Sequence, residues 1–234
     1  VFSRRPSCRP LPAGQAGERV SKGPTLSRRE GLVLAGLVGT AGAAVLVARA
    51  LRAPWTELPP TPTLAAATAE PGPEAGNAQG DLLLVVFTDF NCPACRRAHP
   101  EMMAAVNADG GVRLRFRDWP VFGADSRAAA RTALAADAQG LYLPVHSALM
   151  RGGRADAPAA EAALVAAGGN LDRLRATLAA DGPAIESRLS RNAFHAFSLG
   201  LKGTPSQLVG RLLLEGATSE RTFARAFETA RRAR

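Results

Sequence analysis

Apolar and polar positions divide the chain into four unlike stretches. Residues 1–30 are polar, rich in Pro and Arg, and show no apolar periodicity. Gly31 to Ala48 is an uncharged, mostly apolar run. As a helix it would be ~27 Å long, near the lower limit for a membrane span. Pro54 to Gly80 holds six prolines and an Ala-Thr run, again without a period. That is the pattern of a linker, with a strand inside residues 58–68 as the alternative. From Asp81 onward the spacing becomes regular. Leu82 to Phe87 is continuously apolar, as in a strand buried on both faces. Arg96 to Asn107 predicts a helix, and Val112 to Arg117 alternates apolar and basic residues as a second strand. Helical patterns follow over Asp125–Ala138, Leu141–Met150, Pro158–Ala167, Leu171–Ala180 and Pro183–Leu199. Ser206 to Leu214 is strand-like and interrupted by Gly210-Arg211, which suits a tight hairpin. Ser219 to Arg232 predicts a closing helix with Ser219 as its N-cap.

Charge sharpens this division. The net charge of +9 sits mostly at the start: residues 1–53 carry nine basic and two acidic residues, and residues 54–234 carry twenty and eighteen. Lys202 is the only lysine after residue 22, and no ladder of aromatics accompanies the arginines. A nucleic-acid groove, which needs clustered cations and stacking rings, is therefore not expected. Arg28-Arg29 before the apolar run predicts a signal peptide or membrane anchor over residues 31–50, with Ala48-Arg49-Ala50 as a candidate cleavage site. Ser27-Arg28-Arg29 also partly fits a twin-arginine signal. Val1 and Val20 both suggest alternative starts, and a start near Val20 would leave an ordinary basic leader. The expected organisation is a basic segment over 1–30, a signal or anchor over 31–50, a linker over 51–80 and a folded domain over 81–234.

The chemistry concentrates on Cys92-Pro93-Ala94-Cys95, at a strand-to-helix junction. Cys8 falls in the first stretch, so the domain holds one Cys pair and is no multi-disulfide scaffold. Unpaired N–H groups and the helix dipole at such a junction stabilise a thiolate at Cys92. Pro93 fits the first helical turn because its missing N–H would be unpaired there anyway. Cys92 is expected to be the exposed nucleophile and Cys95 the buried resolving thiol. Other uses of the pair are less well supported. Structural zinc needs four ligands, and His99, His146 and His195 lack metal-type spacing. Covalent haem attachment needs a His where Arg96 stands. A purely structural disulfide, or a Cu(I) site with Met102 or Met103, remains as an alternative. His99 is expected to be a solvent-exposed residue near Cys95, with a modulating role as the alternative. His146 and His195 are expected to be packing or surface groups. Arg96 and Arg97 are expected on a solvated helix face.

Three blocks together resemble the DsbA-like family of the thioredoxin superfamily. They are Phe87 to Cys95, Arg115-Phe116-Arg117-Asp118-Trp119-Pro120-Val121-Phe122-Gly123, and Gly200-Leu201-Lys202-Gly203-Thr204-Pro205-Ser206. The resemblance covers residues 81–232. It implies an α/β thioredoxin fold with an inserted helical subdomain over about 123–199, and an exported thiol–disulfide oxidoreductase that oxidises or isomerises cysteines. It implies no metal or organic cofactor, reduced exported proteins as clients, and a redox partner that recycles the pair. A thiol reductase serving haem or metal-centre assembly is the alternative. Cys92 and Cys95 would be catalytic. Thr204 and a cis Pro205 would face the active site and bind substrate. Pro93, Ala94, Val86 and His99 would modulate it, and Pro100 would interrupt the active-site helix. Two positions depart from the family: Ala94 stands where the strongest oxidants carry His, and Val86 stands where relatives place a buried acid. Asp89, past the strand end, is expected to be solvated.

Overall fold

The computed structural model describes residues 53–233; the segments 1–30 and 31–50, with their expected signal or anchor, lie outside the described residues. Six strands form one mixed sheet. They are β1 (Thr56–Glu57), β2 (Glu74–Gly76), β3 (Leu82–Thr88), β4 (Val112–Asp118), β5 (Ser206–Val209) and β6 (Leu212–Glu215), in the order β1-β6-β5-β3-β4-β2. β3 and β4 run parallel, and every other pairing is antiparallel. Seven α-helices complete the fold. They are α1 (Pro62–Ala69), α2 (Pro93–Asp109), α3 (Ala124–Ala136), α4 (Tyr142–Arg151), α5 (Ala157–Ala166), α6 (Leu171–Ser198) and α7 (Glu220–Arg232). Among the described residues no helix is long and apolar enough to cross a membrane.

The continuous apolar run of β3 is explained by two cores. Leu82, Leu84 and Val86 join one cluster with α2, α7 and the helices between β4 and β5. Val85 and Phe87 join a second cluster on the opposite face with Leu64, Trp119 and Ala196. This is the alternation of a strand covered on both sides. At the hairpin, Gly210 adopts φ +58°, which lets two residues connect β5 to β6. Ser219 caps α7 by accepting a hydrogen bond from the Thr222 amide at 3.3 Å.

Two expectations fail here. Residues 54–80 are not a free linker: β1 pairs with β6, β2 pairs with β4, and α1 lies between them in sequence. The reason lies in β4. Arg115 and Arg117 are buried, and their guanidinium groups donate to carbonyls of this segment. The helices expected over 171–180 and 183–199 are one helix, α6, with Pro183 inside it. Leu174 ahead of the proline and Ile185, Leu189 and Asn192 after it are all buried. Packing on both sides holds the helix through the hydrogen bond that proline removes.

Candidate active site

β3 ends at Thr88, and Cys92 is the N-cap of α2. Its Sγ accepts a hydrogen bond from the Cys95 amide at 3.3 Å. As a thiol it also donates to the Thr204 carbonyl at 3.1 Å. Thr204–Pro205 is a cis bond, and it brings the loop before β5 against the Cys pair. Cys92 and Cys95 are both free thiols. Both residues are buried, each 2% exposed, which corrects the expectation of an exposed nucleophile: the Thr204 loop covers Cys92.

What separates the two sulfurs is their electrostatics. The Cys95 thiol donates to Cys92, and this lowers the Cys92 pKa to about 6 against the opposing cost of burial. The Thr204 hydroxyl, as distinct from its carbonyl, and the amides of Cys95 and Ala94 act in the same direction. Burial, and then the loss of that donated proton, push the Cys95 thiol far up. One sulfur is thus set up to ionise and the other to keep its proton.

Three side chains, Asp89, Asn91 and Arg96, hold the active-site turn through partners far off in the sequence. Asp89, expected to be solvated, is 2% exposed. Its Oδ1 accepts from the Asn91 amide at 2.7 Å, and its Oδ2 accepts from the Val121 and Phe122 amides at 2.7 and 3.0 Å. Three backbone donors give the carboxylate a full set of partners, which is why it is buried rather than solvated. Asn91 reaches into the helical insertion. Its Nδ2 donates to Ser126 Oγ and to the Ala155 carbonyl, and its Oδ1 accepts from the Ala155 amide. Arg96 donates to the Phe90 and Gly152 carbonyls, each at 2.6 Å, so it acts as a strut between turn and insertion rather than as a solvated charge. The block Phe87 to Cys95 stood out in the sequence; the long-range partners of Asp89, Asn91 and Arg96 did not.

Behind Cys95 lies a cavity of about 10 Å³ lined by Val86, Thr88, His99, Phe116, His146 and Gln207 among others. Val86 thus lines the cavity beside Cys95. His99 is buried, which corrects its expected exposure; burial and then the Arg151 charge lower its pKa to about 4, so it is neutral. His146 is a fully packed ring, 4.4 Å from the Phe116 centroid, and burial holds it neutral as well. His195 lies apart, paired with Glu70 at 2.8 Å. Among the described residues no group of three His, Cys, Asp or Glu side chains could hold a metal ion.

Residues 83–228 match the DSBA-like thioredoxin domain family. A thioredoxin-like oxidoreductase from Silicibacter pomeroyi shares 37% identity at a TM-score of 0.66, covering 69% of this chain and 93% of that one. The thiol-disulfide exchange protein alpha-DsbA2 from Wolbachia pipientis shares 24% at 0.64, covering 70% and 87%. A periplasmic thioredoxin-like protein from Salmonella enterica shares 23% at 0.58, covering 74% and 98%. The two more distant likenesses speak for the fold alone. No curated protein matches in sequence. The family match spans more than half of the chain, and the fold and the Cys pair at the start of α2 agree with it: the chain belongs to the DSBA-like thioredoxin domain family, a family of thiol–disulfide oxidoreductases.

Proposed function

We propose that this protein oxidises or isomerises cysteines of extracytoplasmic proteins by exchange through Cys92 and Cys95. The observation that carries the reading is the split between the two sulfurs: a thiol poised to ionise at the helix start, and one three residues on that keeps its proton. In the oxidising direction a client thiolate attacks the Cys92 sulfur of the Cys92–Cys95 disulfide. Cys95 leaves as a thiol after taking up a proton. A second client thiolate then displaces Cys92, and the client leaves with a disulfide while the protein holds two thiols. Thr204 and Pro205 offer backbone beside Cys92 along which a client segment can pair as an added strand. Pro93 and Ala94 supply no side-chain donor to the thiolate, so its stabilisation falls to the Cys95 proton, the Thr204 hydroxyl and backbone amides. A redox partner must reoxidise the pair.

Export is part of the proposal. It is supported by the basic, then apolar, start of the chain. Val121 and Phe122, beside the Cys92 turn, and Phe197, edge-on to Trp119 at 5.6 Å, are large exposed apolar side chains. They suit clients whose apolar segments are still exposed.

The test is trapping. Cys95→Ala should accumulate disulfide-linked adducts with reduced extracytoplasmic proteins, visible on non-reducing gels. Cys92→Ala should form none. Adducts through Cys95 in the Cys92→Ala protein would reverse the two assignments, and absence of adducts in both would overturn the reading.

A further inference from the structure

Resting on that reading, we infer that Asp118, Tyr142 and His146 form a proton relay that serves Cys95 through one water in the cavity behind it, replacing from β4 the carboxylate that Val86 excludes from β3. The need is set by Cys95 itself. It is buried, it holds its proton tightly, and it must lose that proton to resolve a mixed disulfide at Cys92. No side chain of β3 can take it, because the two that line the cavity beside Cys95 are Val86 and Thr88, and neither is a base.

The geometry supplies a path. Tyr142 Oη donates to the Asp118 carboxylate, with its two oxygens at 2.9 and 3.1 Å. The same Oη lies 3.1 Å from His146 Nδ1. A tyrosine hydroxyl has one proton, and here the carboxylate takes it. The His146 Nδ1–H must then donate to Tyr142, which leaves Nε2 as an unprotonated acceptor. His146 lines the cavity together with Cys95, and its Nε2 has no hydrogen-bond partner in the protein. Two other lining residues carry such orphaned atoms, His99 at Nδ1 and Gln207 at Oε1. Buried polar atoms rarely go unpaired. A cavity of about 10 Å³ has room for one water, which can take a proton from Cys95 and donate to His146 Nε2 and Gln207 Oε1.

The step balances. The Cys95 proton passes to the water as the water passes one to Nε2. The Nδ1 proton moves to Tyr142, and the Tyr142 proton moves to Asp118. The Cys95 thiolate then attacks the Cys92 sulfur of the mixed disulfide. The Cys92–Cys95 bond forms, the bond to the client breaks, and the client leaves as a thiolate with the electron pair. In the opposite direction Cys95 leaves and the protons return. Asp118 is suited to receive a proton reversibly, because burial raises its pKa to about 7. The other groups acting on it are Tyr142 of α4 and Arg188 of α6, which lower it, and Asp89 and Asp137, which raise it.

The test measures the release of glutathione from a Cys92–glutathione mixed disulfide after rapid mixing of the reduced protein with oxidised glutathione. In the unmodified protein the release rate should rise with pH through about 7, where Asp118 becomes able to accept a proton. Asp118→Asn keeps an oxygen for Tyr142 but cannot accept the proton. It should slow release about 100-fold at pH 7 and erase that inflection. Tyr142→Phe, which keeps the ring, should do the same. Adding Val86→Glu to Asp118→Asn should restore most of the rate, which a purely structural defect would not allow. Formation of the mixed disulfide, which uses only Cys92, is read in the same traces. No mixed disulfide at Cys92 in the unmodified protein would overturn the functional reading itself. Normal formation with unchanged release and an unchanged pH profile in both variants would overturn the relay alone.

Discussion

Cys92 and Cys95 are equally buried and one helical turn apart, yet their protons behave differently because of donors only a few ångströms away. Cys92 receives the Cys95 thiol proton and helix-start amides; Cys95 receives the cost of burial. The pH dependence of alkylation should show this. The rate of Cys92 modification should rise with a midpoint of about 6, and Cys95 should stay unmodified through neutral pH. A midpoint near the ordinary 8.5 of a free thiol would mean that these donors do not act on Cys92. The same reasoning applies to Asp89, whose carboxylate anchors three amides on either side of the active-site turn. Asp89→Ala would leave those donors buried without partners, at an expected cost of about 3 kcal/mol in denaturant unfolding. A loss under about 0.5 kcal/mol would show that the turn holds without it.

At the scale of elements, β4 decides how much of the chain is folded. Arg117 is fully buried and donates to the Pro71 carbonyl at 3.0 Å, to Ala67 at 2.9 Å, and to Glu70. Arg115 donates to Thr68 at 2.6 Å and to the Glu74 carboxylate at 2.7 Å. The carbonyls lie in the last turn of α1 and in the two residues after it, where a helix has no internal partners to offer. Arg117→Leu should therefore cost about 3 kcal/mol, by leaving carbonyls unpaired rather than by losing area. It should also make residues 56–76 the first site of limited proteolysis. Resistance there equal to that of the unaltered protein would show that β1 and β2 pair without the arginine.

This is also where the sequence was hardest to read. The β3 run, the helix after Cys92, the hairpin at Gly210 and the cap at Ser219 were legible because each rests on local spacing or local chemistry. Residues 54–80 were not, because what folds them is a pair of arginines about fifty residues downstream whose alternation with apolar residues looks like a solvated face. Asp89 and His99 were misjudged for the same reason. Their surroundings lie on other elements, at Val121 and Phe122 and in the cavity behind Cys95.

For the whole molecule, the question is which way electrons run. A thiolate stabilised in the reduced protein favours the dithiol, so a lower nucleophile pKa makes the disulfide a stronger oxidant. Thioredoxin-fold proteins whose nucleophile ionises near 7 have potentials of about −270 mV, and one that ionises near 3.5 has about −120 mV. Cys92, lowered to about 6, falls much nearer the first. The local cause is visible: the Ala94 side chain adds no donor where a histidine would, and the thiolate is left to the Cys95 proton, the Thr204 hydroxyl and backbone amides. Under the proposed function, a pair poised there would give its disulfide to clients only while a partner keeps it oxidised, and its dithiol would also attack wrong client disulfides, which suits isomerisation as well as oxidation. Equilibration with defined glutathione buffers measures this directly. A potential near −120 mV would require a source of thiolate stabilisation beyond these donors. One at or below −270 mV would turn the protein toward reduction, and the client adducts of Cys95→Ala would then have to come from oxidised rather than reduced proteins.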